Sequence, residues 1–205
     1  MTNPESSEYI GGNAVRQMFI LALLYLPLGF FLWFFAASLL MLPARLIAEA
    51  ILTTWFPNIF SHIMQLGFEF EIQTLVQLGQ QVQGQSVALN IEVNPMIYAW
   101  GMALLFGLMM ATPLSVKRRL IQMIIGFSVV TAVTVWGVIW DTLTQLAFRS
   151  GTEAAEAARA TGLSMDMIAL FYQLGYLMLP AVIPLACWIL LNRAFLEEHV
   201  MRHGG

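Results

Sequence analysis

Apolar residues concentrate in four long runs, 17–43, 95–114, 120–141 and 166–192, and polar residues collect between them. A helix rises 1.5 Å per residue, so about 20 apolar residues cover the ~30 Å hydrocarbon core of a bilayer, and every run reaches that length. The pattern predicts transmembrane helices over 16–43, 95–114, 120–141 and 166–192, with tails at 1–15 and 193–205. A basic turn at 115–119 and an outer loop with a short helix at 142–165 complete the connections. The first run is too long for the apolar stretch of a secretory signal, and Leu42, Pro43, Ala44 and Arg45 close it in place of a small-x-small cleavage site. It reads as a retained helix.

The interval 44–94 is far longer than a simple connection requires. Its first part places Leu46, Ile47, Ala50, Ile51, Thr54 and Trp55 on one helical stripe, with Arg45, Glu49 and Thr53 off it, until Pro57 interrupts the pattern. That pattern suits an amphipathic helix lying on the outer membrane interface. The period then falls to two. Phe68, Phe70, Ile72, Thr74, Val76 and Leu78 alternate with Glu69, Glu71, Gln73 and Gln77, and only Leu75 breaks the polar phase. After the Gly/Gln segment 79–85, Val87, Leu89, Ile91 and Val93 alternate with Ser86, Ala88, Asn90 and Glu92. Two strands with one apolar and one acidic face are predicted.

A lone hairpin is marginal in water, so its apolar residues must lie on the interfacial helix, on the membrane or on a partner. Phe68, Phe70, Ile72, Val87, Leu89 and Ile91 are therefore the candidate docking strands, whose edges another chain's strand could extend. The expected fold class is a mainly α membrane protein, with four transmembrane helices, an extracytoplasmic interfacial helix and a β-hairpin.

Composition narrows the function classes. Hydrophobic residues make up 59% of the chain and charged residues 10%, against about 25% charged in soluble domains, which excludes a large soluble domain. The net charge of −3 offers no footprint for nucleic acid. A single cysteine, Cys187, excludes an internal disulfide framework. Basic residues collect on the cytoplasmic side of membrane proteins. An N-in, C-in arrangement places Arg16, Lys117, Arg118, Arg119, Arg193 and Arg202 inside, and Arg45, Arg149 and Arg159 outside. The cluster Lys117-Arg118-Arg119, in a short turn between two apolar runs, is the strongest topology determinant.

Several residues carry candidate chemistry or packing. Pro27 and Gly29 predict a kink in the first helix, ahead of the aromatic segment Phe30, Phe31, Trp33, Phe34 and Phe35. Ala99, Ala103, Gly107 and Ala111 recur every fourth residue, which stacks four small side chains on one face for close approach of another helix, internal or from a partner. Ser150 and Glu153 have capping-box spacing. Asp141 abuts the third run, so it is a candidate acid for an ion or proton path, although Trp136 and Trp140 suit a residue at headgroup level. Cys187 lacks a nearby base or cation and reads as a small buried hydrophobe. His199 and His203 have helical metal-ligand spacing but no third ligand. The chain contains no HExxH, GxSxG, P-loop or CxxC motif, so no catalytic, cofactor or metal site is expected.

The segment Val93-Asn94-Pro95-Met96-Ile97-Tyr98-Ala99-Trp100-Gly101, continuing to Ala111-Thr112-Pro113 and the basic turn, resembles the exosortase H-associated membrane proteins of Gram-negative bacteria. The segments Leu26-Pro27-Leu28-Gly29-Phe30-Phe31-Leu32-Trp33 and Trp55-Phe56-Pro57 are similar to that family as well. The resemblance covers roughly the first 120 residues. It implies an inner-membrane accessory to an exosortase, the membrane transpeptidase that processes proteins bearing a C-terminal sorting tail. An exosortase uses a Cys followed by Arg and His in later membrane-proximal segments, whereas only tail residues follow Cys187, so the chain is not expected to be the transpeptidase itself. Its expected partners are the lipid bilayer and an exosortase or another envelope membrane protein. The competing reading, a small transporter or channel subunit, requires a polar path, for which only Asp141, Asn94 and scattered Thr and Ser are available.

Overall fold

The structure is a computed structural model that describes residues 4–82 and 85–199, with side-chain placement for 16–78 and 88–197. In chain order it contains α1 (Pro4–Phe35), α2 (Ala37–Trp55), β1 (Phe60–Leu66), β2 (Glu69–Val82), β3 (Gln85–Val93), α3 (Met96–Ala99) and α4 (Gly101–Ala111). There follow α5 (Val116–Phe148), α6 (Thr152–Ala160), α7 (Met165–Gln173), a π-helical turn (Leu174–Met178), α8 (Leu179–Leu191) and α9 (Arg193–His199). The chain divides into two compact units. One comprises residues 1–35, 100–130 and 182–205, and the other 36–99 and 131–181.

Among the described residues, four helices are long and apolar enough to cross a membrane, the number the pattern predicts, but the first expected run is divided between two of them and the second supplies none. The spans are Arg16–Phe35, Ala37–Trp55, Val116–Phe148 and Met165–Leu191. The expected helix over 16–43 ends at Phe35, and Ala36 forms a turn whose carbonyl accepts from both Leu39 N and Leu40 N. Helix α1 runs through Pro27, and the helix break falls at Ala36, where the chain passes from one unit to the other. The expected interfacial helix is the C-terminal part of α2. It buries Ala37, Met41, Ala44, Ala48 and Leu52, while Leu46, Ile47 and Trp55 of the predicted stripe stay exposed.

The expected second span, 95–114, is instead Met96–Ala111, too short to be a candidate span and interrupted at Trp100. Helix α4 is covered on two sides. A Cβ on Gly107 would lie 2.9 Å from Leu26 Cα of α1, and one on Gly126 of α5 would lie 3.0 Å from Leu105 Cδ1 and Met109 Cε. A helix enclosed by protein is as apolar as one bathed in lipid, so hydropathy alone does not separate the two.

In the other unit the expected hairpin has a third strand. The antiparallel order is β1-β2-β3, with Leu66 opposite Glu69 and Phe70 opposite Val93. Gly67, at φ 66°, makes the tight turn between β1 and β2. Adjacent Ile63 and Met64 spoil the alternation in β1, which hides it from a period-two reading. Leu75, the residue that breaks the polar phase of β2, lies in a register shift between Gln73 and Gln77, where its N–H bonds Ile59 O at 2.8 Å. Phe70, Ile72, Ile63, Ile91 and Val93 form the buried side of the sheet.

Candidate functional site

The deepest polar cluster grows from the turn after β3. Pro95 cannot continue a strand ladder, and Asn94 Oδ1 accepts from Met96 N at 3.0 Å, so the chain leaves the sheet and begins α3. Tyr98 then enters the core, fully buried, and its Oη donates to Asp141 Oδ2 at 3.0 Å. Gln145, one turn after Asp141, donates from Nε2 to Asp141 Oδ1 at 3.3 Å and to the Glu92 carbonyl at 2.8 Å. Gly137 leaves room for the Tyr98 ring, since a Cβ there would lie 2.2 Å from it.

Asp141 is only 6% exposed, a buried acceptor with two donors. Also on α5, Trp136 and Trp140 pack with Phe171 of α7 at ring separations of 4.7–5.7 Å, and Trp136 Nε1 donates to Phe171 O at 3.2 Å. A Cβ on Gly175, in the π-helical turn, would lie 2.9 Å from Trp136 Cδ1, so the absence of a side chain there lets the turn seat. This arrangement fastens α3, α5 and the sheet to one another.

A second cluster joins α2 to β1. Arg45 Nη1 donates to Glu49 Oε2 at 2.9 Å and to the Ile63 carbonyl at 2.8 Å, while His62 Nδ1 contacts Glu49 Oε1. Thr53 Oγ1 donates to the Glu49 carbonyl at 2.7 Å. The polar stripe Arg45, Glu49 and Thr53, read as the solvent side of an interfacial helix, thus contains two of the residues that tie α2 to the sheet edge. His62 could not be linked to it from sequence, because its partner lies 13 residues away in a different element.

In the other unit, polar contacts cap helix ends. Arg119 donates to the carbonyls of Thr112 and Leu114 at 3.4 Å, and Arg118 donates to Leu191 O at 3.3 Å. Cations at helix C-termini satisfy carbonyls that lack intrahelical partners. Gln122 joins Leu191 O at 3.0 Å and Asn192 Oδ1 at 3.2 Å, and Trp188 Nε1 donates to Thr112 Oγ1 at 3.1 Å. Two of the three residues of the basic cluster therefore have structural partners, and Lys117 is exposed.

The small residues Ala99, Ala103, Gly107 and Ala111 are all buried. Ala103 and Gly107 face α1, where a Cβ on Gly29 would lie 2.8 Å from Ala103 O. Among the candidate docking residues, Phe70, Ile72 and Ile91 lie in the core, Leu89 is half-buried and Phe68 is exposed at the β1–β2 turn. The side chain of Val87 lies outside the described residues, as does His203. The capping box does not form: Gly151 is the N-cap of α6, and Ser150 Oγ donates instead to Gln145 O at 3.0 Å. Cys187 is half-buried.

The motif from Val93 to Gly101 thus builds the turn that delivers Tyr98 to Asp141, and Thr112 of the second motif accepts from both Trp188 and Arg119. No curated protein and no solved structure matches the chain. The family described as exosortase H-associated membrane protein matches residues 12–195, which extends the likeness well past the first 120 residues and through α8. With all but the ends of the sequence covered, the chain belongs to the exosortase H-associated membrane proteins.

Proposed function

We infer that the protein is a non-catalytic accessory or scaffold of an exosortase-type system that sorts envelope proteins, acting by binding in the bacterial inner membrane. The match to the exosortase H-associated family over residues 12–195 carries this reading. The polar clusters support it, because Asp141, Tyr98 and Gln145 engage one another and the backbone, leaving a role in holding elements together. The insertion we favour is N-in and C-in, with Met96–Ala111 crossing between the sheet and the basic turn and α2 staying on the outer side, supported by six basic residues on one side against three on the other. The sheet and α6 then face the outside.

The test is affinity purification from a native host in mild detergent, with identification of the co-purifying proteins. An exosortase recovered with the wild-type chain is expected. Its absence, together with solute flux through the purified protein in liposomes, would sink the accessory reading in favour of a small transporter.

A further inference from the structure

We propose that the outer edge of β3 takes a fourth strand from a partner polypeptide, an extended segment carrying Lys or Arg at alternate positions. The two edges of the sheet are treated differently by the fold. Helix α2 packs along β1, Arg45 holds the Ile63 carbonyl, and Gln65 Nε2 donates to Ser38 O at 2.7 Å. Along β3, by contrast, Ala88, Asn90 and Glu92 are exposed. Strand edges left in this state present a row of N–H and C=O groups that a new strand can pair with.

The phase of that row can be read from two bonds. Thr74 Oγ1, on β2, donates to Leu89 O at 2.7 Å, so the Leu89 carbonyl points toward β2. Backbone groups alternate along a strand, so the backbones of Leu89, Ile91 and Val93 face β2, and those of Ala88, Asn90 and Glu92 face the free edge. The Gln145 bond to Glu92 O agrees, since it reaches β3 from α5. It also closes the row at Glu92, leaving Ala88 and Asn90 open to an incoming strand.

Charge selects the occupant. Glu71 stands directly opposite Glu92 on the outward face, and Glu69 lies on the same face two residues along β2. Like charges in facing positions destabilise a sheet. Asn90 Nδ2 donates to Glu71 Oε1, and among the described residues none of the three carboxylates has a cationic partner. A neighbouring strand with basic residues on that face would bring a counter-charge beside Glu92, with Glu71 next across the sheet.

The edge proposal takes its setting from the accessory role inferred above. Its test uses purified protein and peptide, so failure of the exosortase co-purification and failure of this proposal are separate results. The probe is a fluorescent peptide of about eight residues alternating Lys and Val, titrated onto the full chain in nanodiscs of zwitterionic lipid. Saturable binding that weakens with salt is expected. Asn90→Pro removes an outward N–H, which an edge strand tolerates, and should lower affinity roughly tenfold while Asn90→Ala retains it. Independently of how that variant folds, a peptide N-methylated at alternate amides should lose binding to the wild-type chain. Glu92→Gln should weaken binding and flatten its salt dependence. The proposal is overturned if the Lys peptide does not bind, if a Glu-for-Lys peptide binds equally well, or if N-methylation leaves affinity unchanged.

Discussion

Asp141 shows how a residue's neighbours decide its role. Sequence places an acid at the end of an apolar run, where a conducting path and a headgroup position are both open to it. The fold gives it a tyrosine from α3 and a glutamine from its own helix. Removing either partner leaves a buried polar group short of a hydrogen bond, at about 1–3 kcal/mol. Tyr98→Phe and Asp141→Ala should each lower unfolding stability in detergent by at least that amount, and the double variant should lose less than the sum. Additive losses would show that the two groups do not act as a pair. Gly137→Ala should cost about 1–3 kcal/mol, because its new methyl would meet the Tyr98 ring. An unchanged melting point for Gly137→Ala would contradict the packing described here.

Helix α4 makes the same case for an element. Small side chains at four-residue spacing identify a surface for close helix approach, and α1 fills it with Gly29 and Leu26. The opposite side of α4 is also occupied, as Leu105 and Met109 lie against Gly126. Gly107→Leu should therefore reduce the melting temperature of the detergent-solubilised chain clearly more than Leu104→Phe, whose parent side chain is only half-buried. Equal effects would mean that α1 and α4 do not approach as closely as the glycines indicate. For α2, the pattern identified an amphipathic helix, and packing extended it back to Ala37 by burying Ala37, Met41 and Ala44 with Ala48 and Leu52. The strand β1 was the element least visible in the sequence, because Ile63 and Met64 adjoin and its pairing with β2 supplies the regularity its own side chains lack.

For the whole molecule, insertion is the property to measure. In a Cys187→Ala background, cysteines at Gln77 and Lys117, both exposed, should react differently with an impermeant thiol reagent added to spheroplasts. Labelling at 77 and protection at 117 are expected, and the reverse would invert the proposed orientation. Cys187→Ala itself should cost on the order of 1 kcal/mol and preserve exosortase recovery, since it removes only a small packed group. Loss of recovery at normal protein level would give the thiol a role. The sequence by itself determined the membrane class, three of the four helices long and apolar enough to span, the paired strands after Gly67 and the exosortase-linked family, because each rests on local period, length or motif. Tertiary structure alone decided that residues 95–114 form a short enclosed helix, that the first run breaks at Ala36, and that Glu49 meets His62 while Asp141 meets Tyr98. Those outcomes depend on groups far apart in the chain, and hydropathy carries no information about whether an apolar surface meets lipid or protein.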